Sequence, residues 1–151
     1  MSERTPGGLF LPDPEDLPPP AVLPAWANPV PPEGEGFALE AGVASPYFVT
    51  DPKRWWCELH RPGLLRFDAE VTLEQLVPGA EAAAAQVRPF LVVAPAFTDD
   101  AVTFLVVNKL RGILQVAAVA TPLGPELSTW LAGRPLARAC LGLTSSVLSV
   151  G

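Results

Sequence analysis

Histidine occurs once in the 151 residues, at His60, and cysteine twice, at Cys57 and Cys140, far apart and without C-x-x-C spacing. That leaves no metal or redox motif, and two reduced, mostly buried thiols are expected in a reducing compartment. A lone His60 beside Arg61 and Pro62, with no serine-centred motif nearby, is an ordinary loop residue rather than a ligand or general base. No uninterrupted apolar stretch reaches the roughly 18 residues of a membrane helix, and no basic segment leads into an apolar signal core, so the chain is placed in the cytoplasm, off the membrane. Lys and Arg form no cluster and the net charge is −6, which excludes an electrostatic footprint for nucleic acid. There is no P-loop and no metal-binding Asp cluster, so no metal and no cofactor is expected. The carboxylates Asp68, Glu70 and Glu74 have no nucleophile or base beside them and read as a solvated edge, so the chain is not expected to be an enzyme.

What is present is an apolar content of 49 % in a chain long enough for one domain with a sizeable core. The organising stretch is Phe90 to Thr121. Phe90 to Ala94 and Ile113 to Val119 are short, β-branched apolar runs that read as buried strands. Between them Thr98, Asp99 and Asp100 supply a helix start, Lys109 and Arg111 a basic last turn, and Gly112 a left-handed stop. A connection of this length predicts a right-handed βαβ unit with parallel strands. The helix is apolar on two sides, one carrying Ala101, Phe104, Leu105 and Asn108, the other Val102, Val106, Val107 and Leu110. A sheet covers one side; the second is covered by another part of the chain or left to a partner, since exposing three or four such side chains forgoes roughly 5–10 kcal/mol.

The run Leu105-Val106-Val107-Asn108-Lys109-Leu110-Arg111-Gly112, then Val116-Ala117-Ala118-Val119, resembles the apical domain of GroEL-type group I chaperonins. Upstream, Gly42 with Ser45-Pro46-Tyr47-Phe48 is similar to the family's G-x-x-SPYF segment, and Glu58-Leu59, Pro62 and Leu64-Leu65 to its E-L-E-S-P-F-I-L-L strand. The resemblance covers about eighty residues, Gly36 to Pro122, and fades beyond them, where the family's Arg-Arg-Lys charges are missing. It implies an α/β, chaperonin apical-domain-like layered fold with a βαβ core and a flanking β-hairpin. The family's Gly-Asp-Gly-Thr-Thr phosphate loop and its equatorial and intermediate domains have no counterpart, so a stand-alone, diverged apical-like unit without ATPase activity is expected.

Residues 1–35 hold ten of the nineteen prolines and are read as a disordered tail or linker, with 36–151 as the folded domain. Phe37 and Leu39 suggest a first strand. Pro46 is read as forbidding helix, holding Tyr47 and Phe48 on a stiff extended segment. Trp55 to Leu59 and Leu64 to Phe67, joined at Arg61-Pro62-Gly63, form the expected hairpin. Thr72 with Gln75 makes a capping box, and Pro78 divides a short helix from a second one. A helix follows Pro125, and Val147 to Val150 close the chain as a strand.

The resemblance implies a groove between two helices that binds apolar segments of unfolded or partner polypeptide without ATP. Its expected contacts are Val102, Val106 and Val107 on one helix, Val77 and Ala80 on the other, and Tyr47 and Phe48 at the rim. Asn108 and Arg111 are expected to hydrogen-bond a peptide backbone or a co-chaperonin-like loop. Ala80 stands where the family has a groove leucine, which removes about 2 kcal/mol of apolar burial and implies weaker holding of extended peptide. The alternative is an interaction or self-assembly module that uses the same helix face for one partner or its own copy.

Overall fold

The computed structural model describes residues 3–12, 36–51 and 53–150. Among the described residues, seven strands and three α-helices follow in the order β1 (Phe37–Leu39), β2 (Cys57–His60), β3 (Gly63–Arg66), α1 (Leu73–Gln86), β4 (Phe90–Ala94), α2 (Asp99–Leu110), β5 (Val116–Ala120), α3 (Gly124–Leu131), β6 (Leu136–Leu141) and β7 (Ser146–Val150). Strands β3, β4 and β5 form a parallel sheet in that order, and β1, β7, β6 and β2 an antiparallel one.

The expected unit β4-α2-β5 is there, with Phe90 opposite Val116 and Ala94 opposite Ala120. A second such unit, β3-α1-β4, shares its middle strand. All five residues of β4 are buried, because that strand is central and covered on both faces. Helix α2 starts after Thr98 in extended conformation, and beyond its C-terminal end Gly112 takes a left-handed φ of 76°. The amides of Ile113 and Leu114 return to the Asn108 carbonyl, so the strand begins at Val116 instead of Ile113.

The flanking hairpin does not form. Strand β2 pairs with β6 in the antiparallel sheet, whereas β3 pairs with β4 in the parallel one. The chain changes sheets at Arg61-Pro62-Gly63: the Arg61 amide donates to Ala137 O at 2.9 Å, and the Gly63 amide donates to Pro89 O at 2.9 Å. Arg61, at a left-handed φ of 50°, supplies the reorientation. Strand β2 also starts only at Cys57, since Trp55 sits in a turn with φ 58°.

Two further local expectations are corrected. Pro46–Phe48 is a 3-10 turn, not an extended segment: Pro46 occupies the first helical position, where its missing N–H costs nothing, and the Ser45 hydroxyl caps the turn by accepting from the Tyr47 amide. Helix α1 runs unbroken through Pro78 for 14 residues. Pro78 is exposed, so its ring projects away from the packed face, which carries the buried Leu76 and Ala80.

Gly42 is required where it stands. A Cβ there would lie 2.1 Å from the Leu143 backbone, and the neighbouring Val43 amide donates to Gly142 O at 2.9 Å. Cys57 and Cys140 are both free and buried. Cys57 lies opposite Leu141, and Cys140 opposite Glu58, so the two thiols face opposite sides of the sheet and cannot be bridged. Among the described residues no helix is long and apolar enough to cross a membrane.

Of the stretch 1–35, residues 3–12 lie against the domain; residues 1–2 and 13–35 fall outside the described residues.

Candidate functional site

Helices α1 and α2 pack against each other, and residues 3–12 lie across both. The segment folds on itself first. Thr5-Pro6-Gly7-Gly8-Leu9 is a turn closed by Thr5 N–H to Leu9 O at 2.8 Å and Gly8 N–H to Thr5 O at 2.9 Å. The Thr5 hydroxyl accepts from the Leu9 amide at 3.1 Å, and Gly8 supplies a left-handed φ of 90°. Arg4 and Phe10 then face each other as an antiparallel bridge, and the Leu11 amide reaches Glu3 O at 2.8 Å.

On α2 the anchor is Asn108. Its side chain is fully buried and makes three hydrogen bonds: Oδ1 accepts from the Phe10 amide at 2.8 Å, while Nδ2 donates to Phe10 O and to Phe104 O, both at 2.8 Å. One carboxamide thus reads both main-chain groups of one residue, as a neighbouring strand would. One turn on, the Arg111 guanidinium lies 4.0 Å from the centre of the Phe10 ring, and Arg4 lies 4.2 Å from it. On α1 the Glu81 carboxylate accepts from the Gly7 amide at 3.2 Å. A Cβ at Gly7 would fall 2.7 Å from the end of the flexible Glu81 side chain, which would then have to shift. Leu9, 1 % exposed, joins the same core cluster as Leu76, Phe104 and Val106.

At the other edge of α2 the Lys109 ammonium donates to Tyr47 O at 2.6 Å and ties the Pro46–Phe48 turn to the helix. Burial holds the Lys109 pKa below the ordinary lysine value, and the Cys57 thiol works weakly the other way. Burial likewise pushes the Cys57 thiol up to about 11.

Compared with known proteins, this chain is 44 % identical over 89 residues to Chaperonin GroEL 1 of Prochlorococcus marinus subsp. pastoris, covering 58 % of this chain and 15 % of that protein. It is 44 % identical over 93 residues to Chaperonin GroEL 1 of Prochlorococcus marinus strain MIT 9312, covering 61 % and 16 % respectively. The chain carries a chaperonin-related segment. It spans about 15 % of the length of these relatives, and no protein-family model matches it.

The residues expected to line an open groove are not all accessible. Phe48, Ala80, Val106 and Asn108 are fully buried, and Val107 is 5 % exposed. Val77, Val102 and Tyr47 are half-buried, and Arg111 is exposed. Phe48 and Ala80 therefore belong to the core, which is their physical place: the 3-10 turn aims the Phe48 ring inward, and Ala80 shares the packed face of α1 with Leu76. On the second apolar side of α2, Val106 and Val107 are covered within the chain, Val102 is half-buried and Leu110 is 54 % exposed. What the structure does bring together is Asn108 on α2 and Arg111 just beyond its C-terminal end with Glu81 on α1, around Leu9 and Phe10. Leu9, Phe10, Glu81 and Lys109 were not singled out as contacts at this site. The signal available was the turn pair Gly7-Gly8 followed by Leu9-Phe10-Leu11, which the high proline content of the surrounding stretch obscured.

Proposed function

We propose that this chain binds apolar segments of unfolded or partner polypeptide, without ATP, along the seam between α1 and α2. The observation that carries the reading is the Asn108 carboxamide, which pairs with both backbone groups of Phe10 while Arg111 stacks on the ring. Contacts to main chain are indifferent to side-chain identity, so such a site accepts many sequences that share an apolar or aromatic residue beside the paired backbone. Identity to the two GroEL 1 proteins supports the same reading. On this reading the working residues are Asn108, Arg111, Val102 and Val77, with Tyr47 at the rim. Val106 and Val107 contribute once the covering segment moves, while Phe48 and Ala80 hold the scaffold. Its peptide partner is a segment in extended or turn form, and its own copies are the less favoured occupants, because the exposed apolar residues Leu110, Leu123 and Val87 are spread over different elements.

The test is titration of the full chain with a fluorescent apolar peptide, followed to saturation. Val102→Glu, at a half-buried position, should weaken binding at least tenfold with an unchanged circular dichroism spectrum. Equal affinity for the two proteins removes the seam from consideration.

A further inference from the structure

We propose that residues 3–12 are a resident ligand of the α1–α2 seam, carried by the chain itself, and that an incoming polypeptide binds by displacing them. The inference rests on the polypeptide-binding reading above and adds what the site holds at rest and what kind of peptide fits it.

Four features of the segment set it apart from the body. It belongs to neither sheet, so its departure leaves every β-ladder pairing of both sheets intact. It forms its own turn, closed by its own backbone and by the Thr5 hydroxyl, so it arrives and leaves as a preformed unit and little conformational freedom is lost on docking. Its polar attachments are few and of a portable kind: two main-chain bonds to Asn108 and one to Glu81, none of which reads a side chain of the segment. Its apolar attachments are one buried side chain, Leu9, and one ring, Phe10, held between Arg4 of the segment and Arg111 just beyond α2. Ninety-eight positions of sequence separate Phe10 from Asn108, so proximity along the chain does not impose the contact.

These contacts also define the ligand class. The residue over Glu81 is small, since a Cβ at Gly7 would require the end of the flexible Glu81 side chain to shift, and the next glycine supplies the left-handed turn. A buried aliphatic residue follows, then an aromatic one whose backbone meets Asn108 and whose face meets Arg111. A peptide with a Gly-Gly turn followed by an aliphatic-aromatic pair satisfies all four positions. It competes with residues 3–12 for the same hydrogen bonds.

The experiment uses the full chain and a fluorescein-labelled synthetic peptide with the sequence of residues 3–12 as probe. Two released variants are compared with the unaltered protein: Leu9→Asp, which places a charge where Leu9 is buried, and Phe10→Ala, which removes the stacked ring but keeps the main-chain pair and so serves if the first variant fails to fold. The probe is expected to bind the released variants at least ten times more tightly than the unaltered chain, by fluorescence anisotropy, with unlabelled peptide competing. Equal, measurable affinity for all three proteins overturns the proposal and leaves polypeptide binding standing elsewhere on the molecule. Absence of binding to any folded protein of the three overturns the polypeptide-binding reading, and this proposal with it.

Discussion

Replacing Asn108 by alanine separates the docking of residues 3–12 from the stability of the body. The side chain is fully buried and makes three hydrogen bonds, but they are not equivalent. The bond to Phe104 O is to the carbonyl one turn back, which the helix ladder still satisfies after the substitution, and alanine restores a few tenths of a kcal/mol of helix propensity. That contribution is close to neutral. The two bonds to Phe10 are lost outright, at about 0.5–1.5 kcal/mol each, so docking weakens by roughly 1–3 kcal/mol. The loss is capped at the docking free energy: release of the segment uncovers the neighbours of Leu9 but breaks no strand pairing of the body. Amide exchange at Gly7, whose bond to Glu81 the substitution leaves in place, reads the local opening and should quicken by roughly 5- to 150-fold, at about 1.4 kcal/mol per factor of ten. The amide of Val92 in β4 is the internal control and should keep its protection. Gly7 exchange within twofold of the unaltered chain would refute the idea that the carboxamide holds the segment. Equal acceleration at Gly7 and Val92 would show instead that the segment and the body open as one unit.

Gly42→Ala should destabilise strongly, by several kcal/mol, since the new methyl meets backbone and not a flexible side chain; thermal unfolding checks it, and an unchanged midpoint would contradict the 2.1 Å approach. Pro78→Ala restores a backbone donor inside α1 and should stabilise by about 1–3 kcal/mol, read as a higher denaturant midpoint at equal slope; no gain would mean that the helix has already relaxed around the ring. Cys57 should alkylate at pH 8 far more slowly than a free thiol, because burial leaves it protonated up to about 11. The same shift sets a pH dependence: the folded pKa lies above the ordinary thiol value of 9.0, so the unfolded chain releases its proton first and stability falls as pH rises from about 9 towards about 11. Cys57→Ser should flatten that fall, and an unflattened slope would assign it to other groups.

The central β4-α2-β5 unit was legible because each of its signals is local: two β-branched runs, a capped helix start and a glycine stop. The failures share a different cause. A Pro-Gly turn between two apolar strands looks like a hairpin, but partner choice is a long-range matter, and β2 and β3 each find a better neighbour far along the chain. In sequence Pro46 and Pro78 read as breakers, whereas proline at a first helical position and proline on an exposed helix face are both tolerated. At the site, Asn108 and Arg111 stood out in the sequence, but the burial of Phe48, Ala80 and Val106 depends on the three-dimensional path of elements that no periodicity encodes. The docking of Leu9 and Phe10 was hidden for the same reason, since its counterpart is a carboxamide ninety-eight positions away.

Strands β1 and β7 lie side by side and run in opposite directions, with Phe37 opposite Leu148. The folded body thus opens and closes at one spot on its rim. A permuted form joined by a short bridge from Val150 to Phe37, and reopened at the exposed Ala132-Gly133 bend, would retain all seven strands in their present ladders.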